Sequence, residues 1–330
     1  MTARLLVVEG IESVARALAN ERTELHAGGT DLVERLHRGK DAPQTVVHLA
    51  RSVDTEPLTG VSVDARGDLV VGAATTLASL AADGLVERRH PMLAEAARAT
   101  ATPQIRARAT VGGALFQHVR CWYARHPTLS CLRTGGTSCL AKDGENDHHA
   151  IFGEGPCVAV HPSTLAAALI ALDASLVVQV PDVSAPQTVS IADVFAIDPS
   201  RADVDHTLPR GAVVTGVVVP VAQVIRAERY LRASARALAD WASVEVAVVV
   251  ERVGGKISHA RVVLGAVART PLASIEAERA LVGQRLDDAT IARAAKAATK
   301  GARPLSKNAY KVALVEGTVR AALEEIRDAR

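Results

Sequence analysis

The chain has 330 residues, 22% of them charged and 48% hydrophobic, which describes an ordinary globular protein able to bury two or three cores. A net charge of +2, with arginines interspersed among Asp and Glu, gives no electrostatic reason to invoke nucleic acid or a membrane surface. The amino terminus, MTARLLVVEG, lacks a basic stretch followed by a long apolar one, and the most apolar run, Leu165 to Val180, is broken by Asp173 and Ser175, so a cytoplasmic chain without membrane insertion is expected.

Residues 10–20 place Ile11, Val14, Ala15 and Leu18 on one helical face. An extended piece, Thr23 to His26, then runs into Ala27-Gly28-Gly29-Thr30-Asp31-Leu32, and helical spacing continues to Gly39. A strand thus leads into a double-glycine turn and a helix capped by Thr30 or Asp31. Such a turn aims free N–H groups at an anion, and glycine admits close backbone approach. It lacks both GxGxxG and GxxxxGK[ST], and a Gly-Gly turn before a helix is, taken singly, more often structural.

Thr45 to Leu49 reads as a buried strand, and Gly60–Val63 with Asp68–Val71 as a hairpin around Arg66-Gly67. Thr76 caps the helix LASLAAD, Pro91 to Thr100 is a further helix, and Ile105 to Thr110 leads to a second double-glycine turn, Val111-Gly112-Gly113. The same device used twice, about eighty residues apart, suits a phosphate-bearing ligand gripped from two sides. Further on come a helix (Pro162–Leu172), a strand (Leu176–Val180), and Ser190–Phe195 with Val213–Val219, with a boundary at Pro220 to Val224. The remainder reads as a hairpin, Val244–Arg252 and Ile257–Ala266, followed by helices at Ser274–Val282, Asp288–Lys300 and Asn308–Arg327.

All four cysteines, Cys121, Cys131, Cys139 and Cys157, fall in one loop-rich stretch from Ala109 to Ser163. Of the eight aromatic residues (two Trp, three Tyr, three Phe), Phe116, Trp122, Tyr123 and Phe152 lie there too, which points to a built site. The spacing C-x9-C-x7-C-x17-C matches neither a zinc ribbon nor a ferredoxin run. Disulfides suit an exported chain, and four unrelated buried thiols remain an alternative but would rarely crowd so closely, so metal ligation is favoured over them. Four thiolates fit tetrahedral zinc or a [4Fe–4S] cube, and spacing does not separate the two. His118, His126, His148, His149 and His161 are assigned to surface or hydrogen-bonding roles, and Asp143, Glu145, Asp147 and Glu154 to a solvated loop.

The glycine turns and the cysteine segment together resemble the FAD-binding subunit of the molybdenum hydroxylases, the xanthine dehydrogenase family. AGGTDL at Ala27–Leu32 resembles its first flavin loop, and TPQIRARATVGG at Thr102–Gly113 its second, usually written TPQIRN and TIGGN or TVGGN. The run from RCWYARHP through AKDGEN to VHPS resembles an insertion found in a subset of these subunits, notably in bacterial aldehyde oxidoreductases of the periplasmic type. There the cysteines hold an extra [4Fe–4S] cluster, so the resemblance favours iron–sulfur over zinc, with Cys121, Cys131, Cys139 and Cys157 as ligands.

The resemblance implies an α+β fold: an FAD-binding fold of the vanillyl-alcohol oxidase (PCMH) type, then a C-terminal domain like that of the CO dehydrogenase flavoprotein, a three-stranded antiparallel sheet with helices. Residues 1–55 and 56–222 would be the two FAD subdomains, with the insertion at about 115–162, and 223–330 the C-terminal domain. It also implies an oxidoreductase subunit without catalytic residues of its own. A large molybdopterin subunit hydroxylates the substrate, a small subunit with two [2Fe–2S] clusters passes electrons to FAD here, and an external acceptor removes them. Export alongside a partner would make the compartment periplasmic. Carried over by position, Ala27, Gly28, Gly29, Thr30, Asp31, Leu32, Thr102, Thr110, Gly112, Gly113, Ala114, Thr164 and Arg232 are the flavin-binding set. Three depart from the family pattern: Ala114 stands for Asn, Thr164 for Asp and Arg232 for Lys. Each change alters one polar contact worth about 0.5–1.5 kcal/mol, while main-chain contacts survive. The alternatives are a cofactor-poor or zinc-binding scaffold of the same fold, and a self-sufficient flavin reductase.

Overall fold

The computed structural model describes residues 3–39, 42–54, 56–224, 226–236 and 239–329. Three sheets carry the fold. The first is parallel, with β1 (Arg4–Leu6), β2 (Thr23–His26) and β3 (Thr45–His48) in the order β1-β3-β2. The helix Ile11–Leu18 crosses between β1 and β2, burying Val14, Ala15 and Leu18 as its periodicity predicts. β1 was not anticipated, because three residues with an exposed, exposed, half-buried pattern carry no alternation to read. The expected boundary at Thr55 lies outside the described residues.

The second sheet is antiparallel, with β4 (Val61–Val63), β5 (Leu69–Gly72), β6 (Ser175–Gln179), β7 (Gln187–Ser190) and β8 (Val213–Val219) in the order β4-β5-β8-β6-β7. The third joins β9 (Arg226–Ala233), β10 (Val244–Val253), β11 (Lys256–Gly265) and β12 (Leu272–Ala273) in the order β12-β11-β10-β9. It has four strands rather than the expected three. The fourth is two residues long, too short to leave a periodic signal. Helices Ile275–Leu281, Asp288–Ala297 and Tyr310–Asp328 follow close to their predicted bounds.

Thr164–Ala171 is buried along its whole length. It lies between the helix Pro91–Ala99 and strands β10 and β11, so TLAAALIA has no polar face to present to water. Its apolarity is that of a helix packed on several sides rather than of a membrane span. Among the described residues no helix is long and apolar enough to cross a membrane. One core fills the FAD-type subdomain around this helix, and another lies between the third sheet and its helices.

The cysteine-bearing segment has almost no core of its own. Its small apolar cluster has Val119, Cys157 and Ala159 as its buried members, while Ile151 and Phe152 belong to the C-terminal core. It is held instead by polar anchors. Asn308 donates to the carbonyls of His149 and Ala150, and fully buried Lys311 donates Nζ to those of His148 (3.1 Å) and Ala266 (2.9 Å). Burial pushes the Lys311 ammonium down to about 7. Between that value and the ordinary 10.5 the unfolded chain binds the extra proton, so stability should rise with pH across this window and the cost of burying the charge is felt in full below it. Lys311→Met is expected to flatten that rise when Tm is followed from pH 7 to about 10. A slope equal to the wild type's would show that the buried ammonium is not its source.

Candidate functional site

A cleft of about 630 Å³ opens between the first and second subdomains, a size suited to a bound cofactor. Both glycine turns line it, and they touch. A Cβ added to Gly28 would lie 1.9 Å from the Arg108 carbonyl oxygen, so only glycine lets the first loop close on the segment feeding the second. Gly29 has φ +76°, a left-handed conformation that favours glycine, and its added carbon would meet the His26 ring at 2.7 Å.

The two turns differ in what they offer. Among the described residues the N–H groups of Gly28, Gly29 and Thr30 have no protein acceptor, so they are free for an anion. In the second turn the N–H groups are engaged: Val111 with the Thr75 carbonyl, Gly112 with that of Ala73, and Gly113 with Thr110 Oγ1. Val111-Gly112-Gly113 is not a loop but the first turn of a short helix, Val111–Leu115, capped by Thr110. It presents the cleft with a glycine surface packed on Ala73 rather than with a row of free donors.

Asp31 is the N-terminal flanking residue of helix Leu32–Arg38, but its side chain does not cap that helix, contrary to expectation. The carboxylate instead takes Arg125 (2.9 Å), Arg120 (3.0 Å) and the His118 N–H (3.3 Å). Burial pushes this carboxyl up, but the Arg125 hydrogen bond and the charges of Arg120 and Arg125 outweigh it and hold the group below its usual range. Glu34, one turn on, pairs with the same two arginines. Trp241 of the C-terminal domain stacks on Arg120, 4.8 Å from the guanidinium carbon. Arg120 and Arg125 flank Cys121, so the first flavin-type loop is tied directly to the cysteine segment.

Of the predicted flavin set, Ala27, Gly28, Gly29, Thr30, Asp31, Leu32, Thr110, Gly112 and Gly113 line this cleft. Thr102, Ala114, Thr164 and Arg232 do not. Thr102 caps the turn Pro103–Arg106, and Ala114 faces the core. Thr164 donates to the buried carboxylate of Glu245 at 2.6 Å, which also accepts from Tyr230. Arg232 donates to the carbonyls of Ala99 and Asp240. Sequence reasoning missed the opposite wall, where Phe195 and Asp203 to His206 join Phe116 and His161. His161 is no surface residue: it is 94% buried with Nε2 unpartnered, an orphaned polar atom at the wall of the cleft. The only signal for that wall was aromatic scarcity, since Phe116 and Phe195 stack with ring centroids 5.9 Å apart.

The four cysteines are free thiols, Cys131 and Cys157 buried and Cys121 and Cys139 half-buried. Burial, the larger cause, pushes the Cys121 thiol up, and Cys131 and Cys139 are near enough for their charges to push it the same way. Backbone N–H groups point at the sulfurs: Tyr123 and Ala124 at Cys121, Thr134 at Cys131, Ala141, Lys142 and Val158 at Cys139, and Ala159 at Cys157. The Cys157 hydrogen bond and these amides hold the Cys139 thiol below its ordinary range, while the same bond and burial push Cys157 up. His149 Nε2 lies 3.3 Å from Cys121 Sγ. Among the described residues no three of His, Cys, Asp and Glu converge closely enough for a single metal ion. Glu145 and Glu154 pair with Lys307 and Arg303 on the outside.

Sequence comparison gives this geometry its family. Residues 2–222 match the FAD binding domain in molybdopterin dehydrogenase, and residues 229–326 the CO dehydrogenase flavoprotein C-terminal domain. The chain belongs to this family. It is 29% identical over 305 residues to the aldehyde oxidoreductase FAD-binding subunit PaoB of Escherichia coli, covering 91% of this chain and 90% of that one. It is 27% identical over 304 residues to the carbon monoxide dehydrogenase medium chain of Hydrogenophaga pseudoflava, covering 91% and 88%. A solved carbon monoxide dehydrogenase structure from Hydrogenophaga pseudoflava superposes with a TM-score of 0.76 at 24% identity, over 99% of this chain and 98% of that one, which establishes the fold.

The cleft fits FAD on its own evidence: free N–H groups where a pyrophosphate needs them, a glycine junction without room for a methyl, and unpartnered His161. Gly28→Ala should force the loops apart and weaken FAD binding at least tenfold, about 1.4 kcal/mol, read as the flavin-to-protein absorbance ratio on titration. Gly112→Ala, whose added carbon meets Ala73 Cβ at 3.3 Å, should lose less. Equal losses would show that the junction is not the critical contact.

Proposed function

We propose that this chain is the FAD- and [4Fe–4S]-containing electron-transfer subunit of a heteromeric molybdenum hydroxylase of the aldehyde oxidoreductase or xanthine dehydrogenase type. Its partners in this reading are a molybdopterin-binding large subunit and a small subunit with [2Fe–2S] clusters, from which electrons reach FAD and then an external acceptor. The observation that carries it is the convergence of both glycine turns on one cleft, tied through Asp31 and Glu34 to the segment that holds all four thiols. Bound FAD supplies the exchange between one-electron and two-electron transfer.

The chain's own residues do the holding. Gly28 to Thr30 offer free donors to the pyrophosphate, Asp31 fixes the loop through Arg120 and Arg125, and the opposite wall shields the cleft from water. Thr164 and Arg232, which the resemblance assigns to the flavin, support the reading only indirectly: they tie the FAD-type subdomain to the C-terminal domain through Glu245 and Ala99. Cys121, Cys131, Cys139 and Cys157 are the proposed cluster ligands. The amides aimed at their sulfurs favour ligands that remain thiolates, and hydrogen bonds of this kind are among the factors that set cluster potentials. Four thiolates on one zinc would each lie about 2.3 Å from the ion. What favours a [4Fe–4S] cluster over zinc here is the resemblance of the cysteine segment, not the spacing of the thiols.

The test is an absorption spectrum of anaerobically purified protein with iron, zinc and acid-labile sulfide analysis. The expected result is flavin bands over a broad iron–sulfur shoulder, with about four irons per chain. Cys139→Ala should abolish the shoulder. A colourless protein carrying one zinc would return the chain to a scaffold role.

A further inference from the structure

The anion-binding loop is followed at once by a carboxylate. Gly28, Gly29 and Thr30 line the cleft, their N–H groups without a protein acceptor among the described residues, and Asp31 lines it beside them. A bare carboxylate there would repel a diphosphate seated on those N–H groups. The charges around the loop are joined by ion pairs. Arg35 binds Glu24 of β2 (2.9 Å) and lies 3.4 Å from Asp31, and Arg38 pairs with Glu34. The stretch from β2 to Arg38 thus brings three carboxylates, Glu24, Asp31 and Glu34, to this network against two guanidinium groups. One negative charge is in excess. The cysteine segment reverses the sign. Arg120 reaches Asp31 (3.0 Å) and Glu34 (2.7 Å), and Arg125 reaches Asp31 (2.9 Å) and Glu34, so the completed network has one positive charge in excess. Both arginines are fixed in place. Arg125 also donates to the carbonyls of Val119 (2.8 Å) and His118 (3.1 Å), and Trp241 stacks on Arg120. Elsewhere on the lining, Asp203 pairs with Arg201 and Asp205 with Arg133 and Arg269, while Arg210 is exposed.

We infer that Arg120 and Arg125 make the cleft fit for a diphosphate by reversing the charge beside the anion-binding loop, so that dinucleotide affinity depends on the cysteine segment. This rests on the reading of the cleft as an FAD site and not on what the cysteines hold. Neither arginine lines the cleft, so both act through Asp31 and Glu34 and are positioning residues rather than catalytic ones. The carboxylates they cover are partly buried, where salt screens a charge less than in open water. Loss of either guanidinium is therefore felt by an anion on the adjacent N–H groups. The dependence runs both ways. If the docked segment raises the affinity for a diphosphate, a bound diphosphate favours the docked segment by the same factor.

The experiment is calorimetric titration of the flavin-stripped full chain with FAD and with ADP, which carries the adenine and pyrophosphate of FAD, at low and at high salt. The double variant R120Q R125Q should bind ADP about tenfold more weakly than the wild type at low salt. Added salt should weaken binding to the wild type and strengthen it in the double variant, because screening removes attraction in one and repulsion in the other. Adding D31N and E34Q to the double variant removes the two carboxylates along with the two arginines and should recover most of the affinity. A merely structural clamp predicts the reverse, since the fourfold variant keeps none of the ion pairs of Asp31 and Glu34. Wild-type affinity in R120Q R125Q, or a fourfold variant that binds no tighter than the double one, would overturn the inference. Should R120Q R125Q not fold, R120Q against E34Q R120Q decides by the same criterion, Arg120 being the more exposed of the two. A wild-type chain that binds neither ADP nor FAD would overturn the cofactor reading itself, and that result precedes any titration of a variant.

Discussion

The structure depends on one close approach, that of the Gly28 backbone to the Arg108 carbonyl. No side chain fits between them, since even a methyl carbon would overlap the oxygen at 1.9 Å. This junction lets a small parallel sheet and a separate antiparallel sheet share one cleft. It also explains why the loop after β2 keeps its N–H groups unspent. Held against a neighbour by backbone contact, the loop needs no internal hydrogen bonds to keep its shape. In the second turn the economy is reversed, because its donors are used to fix the short helix Val111–Leu115 onto Ala73 and Thr75. One turn binds and the other supports.

Charge then joins the cleft to the cysteine segment. Asp31 and Glu34 on one side and Arg120 and Arg125 on the other form a partly buried network, in which each carboxylate meets two guanidinium groups. Networks of this kind add little net stability, because desolvation offsets attraction, but they fix geometry. Here they fix the distance between a flavin-type loop and the first thiol of the pocket. On the opposite wall of the cleft, Arg133 and Arg269 hold the loop 201–206 through its carbonyls and Asp205. The C-terminal domain joins the arrangement through Trp241 on Arg120, Arg269 on the loop 201–206, and Lys311 beneath His148. It acts as a brace for the cysteine segment.

Local chemistry was legible in the sequence where a single residue type has few uses. The two double-glycine turns, the Thr76 cap and the β10–β11 hairpin across Gly254-Gly255 all stand where residue pattern placed them. What escaped was decided by tertiary contact. Asp31 reads as a helix cap, but three arginines and a distant N–H compete for its carboxylate and win. Thr164 and Arg232 carry family positions, yet their side chains turn to Glu245 and to the Ala99 carbonyl, partners that are remote in sequence. The wall formed by Asp203 to His206 lies in irregular backbone with no periodicity to betray it. Strands β1 and β12 are too short for any pattern.

In the proposed reading, thiols rather than apolar residues organise the cysteine segment. A stretch from about 115 to 162 with so few buried apolar members of its own has no hydrophobic reason to adopt one conformation. Its aromatic residues do not supply one, since Trp122 is 43% exposed and Phe152 serves the neighbouring core. Polar anchors at the edge can position such a segment but cannot fill its middle. The segment also carries four thiols with backbone N–H groups aimed at their sulfurs. In the proposed iron–sulfur reading, the folding free energy of this segment is coupled to whatever the sulfurs bind. Arg133, two residues after Cys131, and Arg269 bind the neighbouring loop 201–206 through its carbonyls and Asp205, so the segment is held from that side too.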